Sequence, residues 1–427
     1  MFAQHFGCTR FVYNWGLALR KEHYERTKKG ISYKKLSERL TKELKAQNQW
    51  LYDVGSQPLQ RALKNLDKAY ENFFEGFTRY PVFKCKKDTE FSFNCPENNE
   101  VDLDNGLLYI RPQKIKGIKI ELHRKFTGTV KEVTISKNPS GKYYASILVD
   151  DVFEPLPFKP IEEKTTLGID TGIKDFLVYS DGRPKTGNKR YLQKSLKKLK
   201  HLQRLHAKKQ RSSITTSDGR RIKANSANRN KSRIKIARLH EKITNQREDY
   251  IHQVTHALTH DNQVGTICIE DLNVSGMIKN HCLARHLSDV GLGKFYTTLA
   301  YKCKWNGVNL IRIDRYAPSS KRCSVCGKIN RELKLSEREW QCGDCCTAHD
   351  RDYNAAVNIK YFGLHDATKK INVDREPVER APSVPKSVEP HVAITTQQVG
   401  MCVKGAGKQK KRRGTVPLKP LRSLASG

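Results

Sequence analysis

Cys323-Ser-Val-Cys-Gly327 is followed, with fifteen residues between Cys326 and Cys342, by Cys342-Gly-Asp-Cys-Cys-Thr-Ala-His-Asp-Arg-Asp-Tyr-Asn-Ala-Ala-Val-Asn-Ile359. Two Cys-x-x-Cys pairs at this separation can place four thiolates around one tetrahedral zinc ion. The alternative, four unrelated buried thiols, does not account for the repeated spacing. The sequence therefore predicts one structural zinc ion held by Cys323, Cys326, Cys342 and Cys345. Cys346 is a competing ligand, but it fits the spacing less well.

Two carboxylates follow the last cysteine pair. Asp350 and Asp352 come directly before the helix-forming run that starts at Asn354. A zinc-binding segment joined to acids at the start of a helix suggests a nucleic-acid enzyme with a zinc finger inserted near its active site.

The composition indicates a polyanionic partner. The chain has 427 residues, enough for two or three domains, and its 80 Lys and Arg against 44 Asp and Glu give a net charge of +36. The candidate partners are nucleic acid and an anionic membrane surface. No apolar run approaches the length of a membrane span and no secretory signal opens the chain, so we expect no membrane partner. We expect a cytosolic protein, whose cysteines outside the two pairs are core or surface thiols.

The first 160 residues divide by their hydrophobic periodicity. Helical spacing over residues 8–80 predicts a helical domain at 1–80, which ends near Tyr80-Pro81. From Phe83 to Val149 the alternation is that of strands, which predicts a β-rich module at 81–160, interpreted as a barrel. Residues 152–164 contain three prolines and are interpreted as a linker.

The second half alternates between strands and helices. Buried strands are predicted at Leu167–Asp170 and Val264–Glu270, and further strands at Phe176–Ser180 and Val308–Asp314. A helix is predicted at Leu292–Trp305.

Two long helices rich in Lys and Arg fall within residues 190–260. The polar stretch between them, Arg211 to Asn230, is interpreted as a flexible loop. The residues from 366 to 427 lack periodicity and are predicted to form a disordered basic tail.

Three acids stand out by their position. Asp170 lies in the first strand of this half, Glu270 ends a later strand, and Asp350 or Asp352 starts the last helix. An acid in an apolar strand is costly unless it is paired or bound to metal. Phosphodiester hydrolysis uses two divalent ions about 3.5–4 Å apart, and carboxylates are the ligands that hold Mg²⁺. In so basic a chain, the three acids predict an RNase H-like nuclease.

Five blocks of the sequence match a known family. They are Phe6-Gly-Cys-Thr-Arg-Phe-Val-Tyr-Asn-Trp15, Ser56-Gln-Pro-Leu-Gln60 with Asn72-Phe-Phe74, Gly168-Ile-Asp-Thr-Gly-Ile-Lys-Asp175, Ile269-Glu-Asp-Leu-Asn-Val-Ser-Gly-Met277, and Ser319-Ser-Lys-Arg-Cys323 through Ile359. By these blocks the chain resembles the TnpB family, the RNA-guided nucleases of insertion sequences and apparent relatives of type V CRISPR effectors. The resemblance spans residues 6 to 359, and its last three blocks are diagnostic of a RuvC nuclease domain split by a zinc finger.

The resemblance implies a multidomain α/β architecture. It consists of the helical recognition domain, a β-barrel wedge domain and an RNase H-like (RuvC) nuclease domain at 165–365 with an inserted zinc ribbon at 318–348. By motif match, Asp170, Glu270 and Asp352 are the catalytic acids that hold two Mg²⁺ ions. Asp352 is preferred because it directly precedes Tyr-Asn-Ala-Ala, and Asp350 is the alternative.

The resemblance also implies the partners. They are a guide RNA made from the transposon end and double-stranded target DNA, cut next to a short adjacent motif, with the protein as a monomer in the prokaryotic cytoplasm, associated with the nucleoid. Candidate nucleic-acid contacts are Ser56, Gln57, Gln60, Lys64, Lys84, Lys86, Lys197, Lys200, Arg204 and Arg233.

The chain departs from the family pattern in two places. Family members usually open with a barrel strand before the Phe-Gly-Cys helix, whereas this chain starts almost at that helix, so we expect an incomplete barrel. Residues 211–230 are longer than the corresponding turn. Two other functions are considered, an RNA-guided DNA-binding repressor without cleavage and a DNA-joining transposase. The presence of all three acids argues against the first, and their order along the chain argues against the second.

Overall fold

The computed structural model describes residues 1–85, 91–110, 115–122, 125–150, 154–209, 212–215, 221–224, 226–334, 336–366, 368–372 and 393–394. These residues lie within one compact unit, Met1–Thr396. Among the described helices, none combines the length and the apolar character that crossing a membrane requires. From its N-terminus, the unit contains a group of helices, a group of antiparallel strands and an α/β region.

The chain begins with helices, as the apolar spacing predicts. They are α1 (Phe2–Thr27), α2 (Tyr33–Arg39), α3 (Lys45–Gln47) and α4 (Ser56–Phe74), with a π-helical turn at Leu40–Leu44 and a 3-10 turn at Gln49–Asp53. α1 and α4 pack closely, since a Cβ placed on Gly16 would lie 2.7 Å from Cδ2 of Leu63. The helical prediction is confirmed up to Phe74, where α4 ends.

The next region is built from antiparallel strands. They are β1 (Phe91–Cys95), β2 (Asn99–Asp102), β3 (Leu107–Ile110), β4 (Ile115–Lys119), β5 (Thr129–Lys137) and β6 (Tyr143–Asp150). β1, β5 and β6 form one sheet together with a short strand at Ala393–Ile394, and β2, β3 and β4 form another.

The predicted barrel is not found among the described strands, which form two open sheets. No described ladder joins a strand of one sheet to a strand of the other. Their inner faces instead share one apolar core, in which Phe93 and Val133 pack with Leu108 and with Phe6 of α1. Because α1 covers part of this core, the apolar faces are buried without closure of the sheets.

The α/β region contains the remaining elements. The strands are β7 (Thr166–Thr171), β8 (Asp175–Tyr179), β9 (Thr186–Gly187), β10 (Ser212–Thr215), β11 (Arg221–Ala224), β12 (Thr266–Glu270), β13 (Asn309–Ile313), β14 (Glu339–Gln341), β15 (Ala348–Asp350) and β16 (Lys370–Ile371). The helices are α5 (Tyr191–Lys208), α6 (Ala227–Thr259), α7 (Val274–Ile278), α8 (Ala284–Val290), α9 (Leu292–Trp305) and α10 (Arg351–His365).

One six-stranded sheet organises this region. Its order is β16-β13-β12-β7-β8-β9, in which β12 runs parallel to both β7 and β13 while β8 runs antiparallel to β7. On one face, Ile251 of α6 and Phe295 of α9 pack against Ile169 and Ile267. Because the central strands are covered on both faces, they are nearly continuous apolar runs, as predicted.

α10 covers the other face of the sheet at very close range. A Cβ placed on Gly168 of β7 would lie 2.2 Å from the carbonyl oxygen of Ala356, and one on Gly363 of α10 would lie 2.3 Å from Sγ of Cys268. Only glycine fits at these two crossings. The first turn of α10 is thereby held at the same edge of the sheet as the C-terminal end of β7.

One further expectation meets a different outcome, and another lies mostly outside the described residues. The stretch Arg211 to Asn230 is not simply a loop, because β10 and β11 pair there as a hairpin, with Ile214 opposite Ile222, and α6 starts at Ala227. Its alternation of Ile with hydroxyl and basic residues is a strand pattern that the polar composition concealed. Of the predicted tail from residue 366, the structure describes 366, 368–372 and 393–394, and the rest of that prediction lies outside the described residues.

Candidate metal sites and nucleic-acid interface

Asp170 and Glu270 lie side by side at one edge of the sheet. Ile169 of β7 pairs with Ile269 of the parallel strand β12, so the two acids that follow them are level with each other. Since the carboxyl ends of parallel strands meet at one edge of a sheet, this placement follows directly from the sequence positions. Burial raises the pKa of Glu270, and the hydroxyl of Ser319, which donates to its Oε1 at 2.5 Å, partly offsets the rise.

Asp352 reaches the same region from the first turn of α10. Burial raises the pKa of Asp170 to about 8, and the carboxylates of Glu270 and Asp352 add to the rise. Glu270 and Asp352 thus both disfavour the charged form of Asp170, so negative charge is concentrated around this one carboxyl group. Such a donor set of hard oxygens fits a divalent cation such as Mg²⁺.

The carboxylate of Asp352 already has a partner. Nη1 of Arg338 donates to its two oxygens at 2.8 and 2.9 Å, and Nε of Arg351 lies 3.6 Å from Oδ1. In the part of the chain that the structure describes, the three acids do not form a set of ligand atoms all within 4.8 Å of one another. Arg338 therefore neutralises one acid of the group.

Asp350 has a structural role at the helix start. Its Oδ1 accepts hydrogen bonds from the backbone amides of Asp352 and Tyr353, each at 3.0 Å, and Lys185 donates to its Oδ2 at 2.7 Å. Burial alone would raise the pKa of Asp350, but these hydrogen bonds lower it below its ordinary value. Asp350 is thus the N-cap of α10 through Oδ1, while Lys185 occupies Oδ2.

The four predicted zinc ligands converge. The ligand atoms of Cys323, Cys326, Cys342 and Cys345 all lie within 4.8 Å of one another. Sγ of Cys323 lies 3.6 Å from that of Cys345, and Sγ of Cys326 lies 3.5 Å from that of Cys342. Tetrahedral zinc with bonds of about 2.3 Å requires sulfur atoms about 3.8 Å apart, so the cluster fits one zinc ion. Cys346 is exposed and is not part of this set.

Two side chains contact these sulfur atoms. Nε2 of His349 lies 3.0 Å from Sγ of Cys323, and its ring packs on Trp340, the residue opposite it in the β14–β15 pair. The hydroxyl of Thr347 lies 3.3 Å from Sγ of Cys345, and hydrogen bonds from the side chain and the backbone of Thr347 are the main causes that lower the pKa of Cys345 to about 6. Such outer contacts fix the orientation of metal ligands.

Two buried asparagines hold the zinc segment against α10. Nδ2 of Asn354 and Nδ2 of Asn358 both donate to the carbonyl oxygen of Arg322, and Nδ2 of Asn358 also donates to that of Ser319 at 2.8 Å. Both asparagines are fully buried. No role was predicted for them from the sequence, although two Asn at i and i+4 on the buried face of a helix are a sign of hydrogen bonding to a neighbouring backbone.

Most of the predicted nucleic-acid contacts lie on exposed helix surfaces. Lys197, Lys200 and Arg204 are exposed on α5, and Arg233 is exposed on α6. On α4, Ser56 and Lys64 are exposed, whereas Gln57 and Gln60 are half-buried.

Two of the predicted contact residues, Lys84 and Lys86, do not lie on these helices. The backbone of Lys84 is fixed by Asn14, and its Nζ lies 4.2 Å from the centre of the Tyr13 ring. Lys86 lies outside the described residues. A role of these ten residues in nucleic-acid binding stays a prediction.

The fold and the sites define a class of protein, a multidomain α/β protein in which carboxylates at a sheet edge adjoin a four-cysteine zinc-type site. Three family models match the chain. They are described as a helix-turn-helix domain at residues 1–29, a probable transposase at residues 151–281, and a Cas12f1-like TNB domain at residues 293–359.

Known proteins similar to this chain agree on its family. A putative RNA-guided DNA endonuclease of Streptomyces pristinaespiralis is 35% identical over 360 residues, which cover 84% of each chain. The putative RNA-guided DNA endonuclease InsQ of Escherichia coli K12 is 33% identical over 373 residues, covering 84% of this chain and 87% of InsQ. The chain belongs to the TnpB family.

A solved structure shares the fold. The cryo-EM structure of a Cas12f1 complex with sgRNA and target DNA matches with a TM-score of 0.52 and 15% sequence identity, over 84% of this chain and 82% of that one.

Proposed function

We propose that the protein is an RNA-guided DNA endonuclease of a transposon, which cleaves target DNA beside a short adjacent motif. The observation that carries the proposal is the placement of Asp170 level with Glu270 at one sheet edge, with Asp352 of α10 close enough to raise the pKa of Asp170. Membership of the family supports it, because the two relatives described above are named as RNA-guided DNA endonucleases.

The sheet supports an RNase H-like (RuvC) nuclease domain over residues 165–365. Its core order β9-β8-β7-β12-β13 has three antiparallel strands followed by two strands parallel to β7. The zinc ribbon, residues 318–348, is inserted between β13 and α10. Residues 1–80 and 81–160 supply the recognition and wedge domains, and residues 366–427 the basic tail.

The chemistry rests on two divalent ions. Asp170, Glu270 and Asp352 would hold two Mg²⁺ ions, and the chemistry that such ions would supply is activation of a water and stabilisation of the leaving oxygen. The hydroxyl of Ser319 orients the carboxylate of Glu270. Asp350 caps α10 and so fixes the position of Asp352 on its first turn. Zinc at the four cysteines is structural, because all four ligands are protein thiolates and none of the coordination positions is left for substrate.

The charge supports nucleic-acid partners. A net charge of +36 and the exposed lysines and arginines of α5 and α6 can neutralise the phosphates of a guide RNA and its heteroduplex with DNA. In this arrangement, base pairing reads the target sequence while the protein reads duplex shape and the adjacent motif. The guide RNA would come from the transposon end, and the protein would act in the prokaryotic cytoplasm, at the nucleoid, as a monomer.

The test is guided cleavage with purified protein. The RNA that copurifies is sequenced, and the complex is given duplex DNA that matches or mismatches the guide, in Mg²⁺. We expect cleavage of the matched duplex alone, and none after the RNA is removed. Equal cleavage by RNA-free protein at the same positions would refute guidance. Binding without any cleavage would favour the repressor function, and strand transfer to a second duplex would favour the DNA-joining function.

A further inference from the structure

One exposed tyrosine lies on a loop that begins and ends at Glu270. The loop, residues 314–319, leaves β13 at Ile313, whose Cα is the register partner of Glu270. It returns to the same acid at Ser319, whose hydroxyl donates to Glu270 at 2.5 Å. Tyr316 is in the middle of this loop. Three residues of extended chain reach at most about 11 Å, so the backbone of Tyr316 stays close to the acids.

The loop backbone is fixed while the tyrosine side chain points into solvent. The amide of Tyr316 donates to Oδ1 of Asp314 at 2.7 Å, and the amide of Ser319 donates to the carbonyl oxygen of Ala317 at 2.7 Å. Nε of Arg315 donates to the carbonyl oxygen of Asp271 at 3.0 Å. Tyr316 itself is 86% exposed, the largest exposed fraction among the large hydrophobic side chains of the described residues.

The surroundings of this ring favour a nucleic-acid strand as its partner. Arg315 and Lys370 flank the loop and are 42% and 59% exposed, and both lie near the single carboxylate of Asp271. Two partly exposed cations beside an exposed flat ring match a phosphate backbone with an adjacent base. An aromatic ring stacks on a base only when one face of that base is free, so the base must be unstacked from its neighbour on that side.

We propose that Tyr316 binds substrate by stacking on a nucleobase of the DNA strand, next to the phosphate that is cleaved at the site of the three acids. This inference rests on the proposed function. The stacking holds the DNA strand on the loop that carries Ser319, and this positions the scissile phosphate next to Glu270. The tyrosine needs no hydrogen bond to the base, which makes the contact tolerant of sequence.

The test is a double-mutant cycle between Tyr316→Ala and abasic DNA. Single abasic sites are placed at successive positions around the cut, and single-turnover cleavage by the RNA-guided complex is measured below saturation. We expect Tyr316→Ala to slow cleavage of intact DNA by about 5- to 150-fold, the range for loss of one base–aromatic stack. One abasic position should slow the wild type by the same factor and Tyr316→Ala no further. Tyr316→Phe should retain the wild-type rate.

Two controls separate stacking from folding and from the proposed function. Tyr24→Ala removes another exposed tyrosine, 56% exposed on α1, and should show no coupling to any abasic position. If the wild type cleaves but Tyr316→Ala shows no coupling to an abasic site at any position, the stacking inference is overturned and the proposed nuclease function stands. Absence of wild-type cleavage overturns the proposed function.

A second readout does not need cleavage. In guided Asp170→Ala protein, 2-aminopurine placed at the coupled position, or scanned across the region, should be quenched through stacking, and Tyr316→Ala should restore its fluorescence. Quenching that is the same with and without Tyr316 would contradict the inference. Loss of binding to guide RNA in the Tyr316→Ala variant would instead assign this ring to the RNA and also overturn it.

Discussion

Nη1 of Arg338 donates to both carboxylate oxygens of Asp352, at 2.8 and 2.9 Å. Arg338 lies between the two cysteine pairs, and Asp352 lies in the first turn of α10. The amide of Arg351 also donates to the carbonyl oxygen of Arg338 at 2.7 Å. Arg338 therefore contacts the start of α10 through both its side chain and its backbone. Under the proposed function, Asp352 binds Mg²⁺. The zinc segment therefore supplies a cation that competes with the metal for one carboxylate.

Loss of Arg338 should strengthen metal binding. In nucleic-acid-free protein, we expect Arg338→Ala to lower the dissociation constant for Mg²⁺ by up to about 5-fold, because a partly exposed ion pair contributes at most about 1 kcal/mol. Calorimetric Mg²⁺ titration measures it. The control is Lys328→Ala, which removes another ion pair of the zinc segment, with Asp344 at 3.2 Å. If both variants bind Mg²⁺ like the wild type, Arg338 does not compete with metal.

Asp350 and Asp352 should respond differently to the same conservative change. Asn is as good an N-cap as Asp, so Asp350→Asn should keep α10 capped and keep cleavage within a few-fold of the wild type. Asp350→Ala should lose about 1 kcal/mol of stability, measured as a lower midpoint of thermal unfolding. Asp352→Asn removes the charge needed to hold metal and should abolish cleavage. A cleavage defect in Asp350→Asn as large as that in Asp352→Asn would make Asp350 a metal ligand.

Zinc content should separate the ligands from their neighbour. Cys326→Ser should bind less zinc than the wild type, and chelation should unfold the segment next to Asp352, because structural zinc contributes folding free energy. Cys346→Ser is the matched control, since Cys346 adjoins Cys345 but lies outside the cluster. Zinc is quantified by metal analysis of the purified variants. Full zinc in Cys326→Ser, or loss of zinc in Cys346→Ser, would contradict the ligand assignment.

Local patterns in the sequence predicted the elements and the cysteine site well. The Cys-x-x-Cys spacing places four sulfur atoms together because the ligands are near neighbours along the chain. Helix α9 was predicted with both of its ends, Leu292 and Trp305, since its apolar period is regular. Glu270 lies level with Asp170 because each acid follows an apolar run toward the C-terminal end of a buried strand, and the two strands are parallel neighbours.

Long-range side-chain contacts could not be predicted in this way. The hydrogen bond of Ser319 to Glu270 and that of Arg338 to Asp352 depend on how the zinc segment folds back on the sheet. Two open sheets and a closed barrel have the same alternation of apolar and polar residues, so the sequence pattern does not distinguish them. Only the structure shows that Phe6 of α1 packs on Phe93 and covers part of the open core. The β10–β11 hairpin was missed because its polar composition outweighed its period.

The three acids should be needed for cleavage and not for binding. Asp170→Ala, Glu270→Ala and Asp352→Ala should each slow single-turnover cleavage by thousands-fold, because loss of a metal ligand removes several kcal/mol of transition-state stabilisation. Affinity for guide RNA and target should be nearly unchanged, since it comes from many contacts of Lys and Arg with phosphate. Cleavage and filter-binding assays on the same preparations measure both. Cleavage by Asp170→Ala at the wild-type rate would refute the RuvC assignment.

Without metal, the acid group should destabilise the fold as the pH rises. Burial, with Glu270 and Asp352, raises the pKa of Asp170 to about 8, above its ordinary value of 3.8. The folded state therefore binds a proton that the unfolded state releases, and stability falls between about pH 4 and pH 8. In EDTA at pH 8, Asp170→Asn should unfold at a higher temperature than the wild type, whereas near pH 4 the two should converge.

Mg²⁺ should narrow the difference in unfolding temperature between the wild type and Asp170→Asn. Metal that binds the folded state raises its stability by mass action, so the wild type should gain in unfolding temperature with Mg²⁺ at pH 8 and Asp170→Asn should gain less. Asp181→Asn is the control, because the pKa of Asp181 is shifted in the opposite direction. Arg183 donates to Asp181 at 2.6 Å, and the pKa of Asp181 is lowered. That variant should be no more stable than the wild type at pH 8. If Asp170→Asn instead unfolds at a lower temperature than the wild type in EDTA at pH 8, the charged form of Asp170 does not destabilise the fold. The metal site would then have to lie elsewhere.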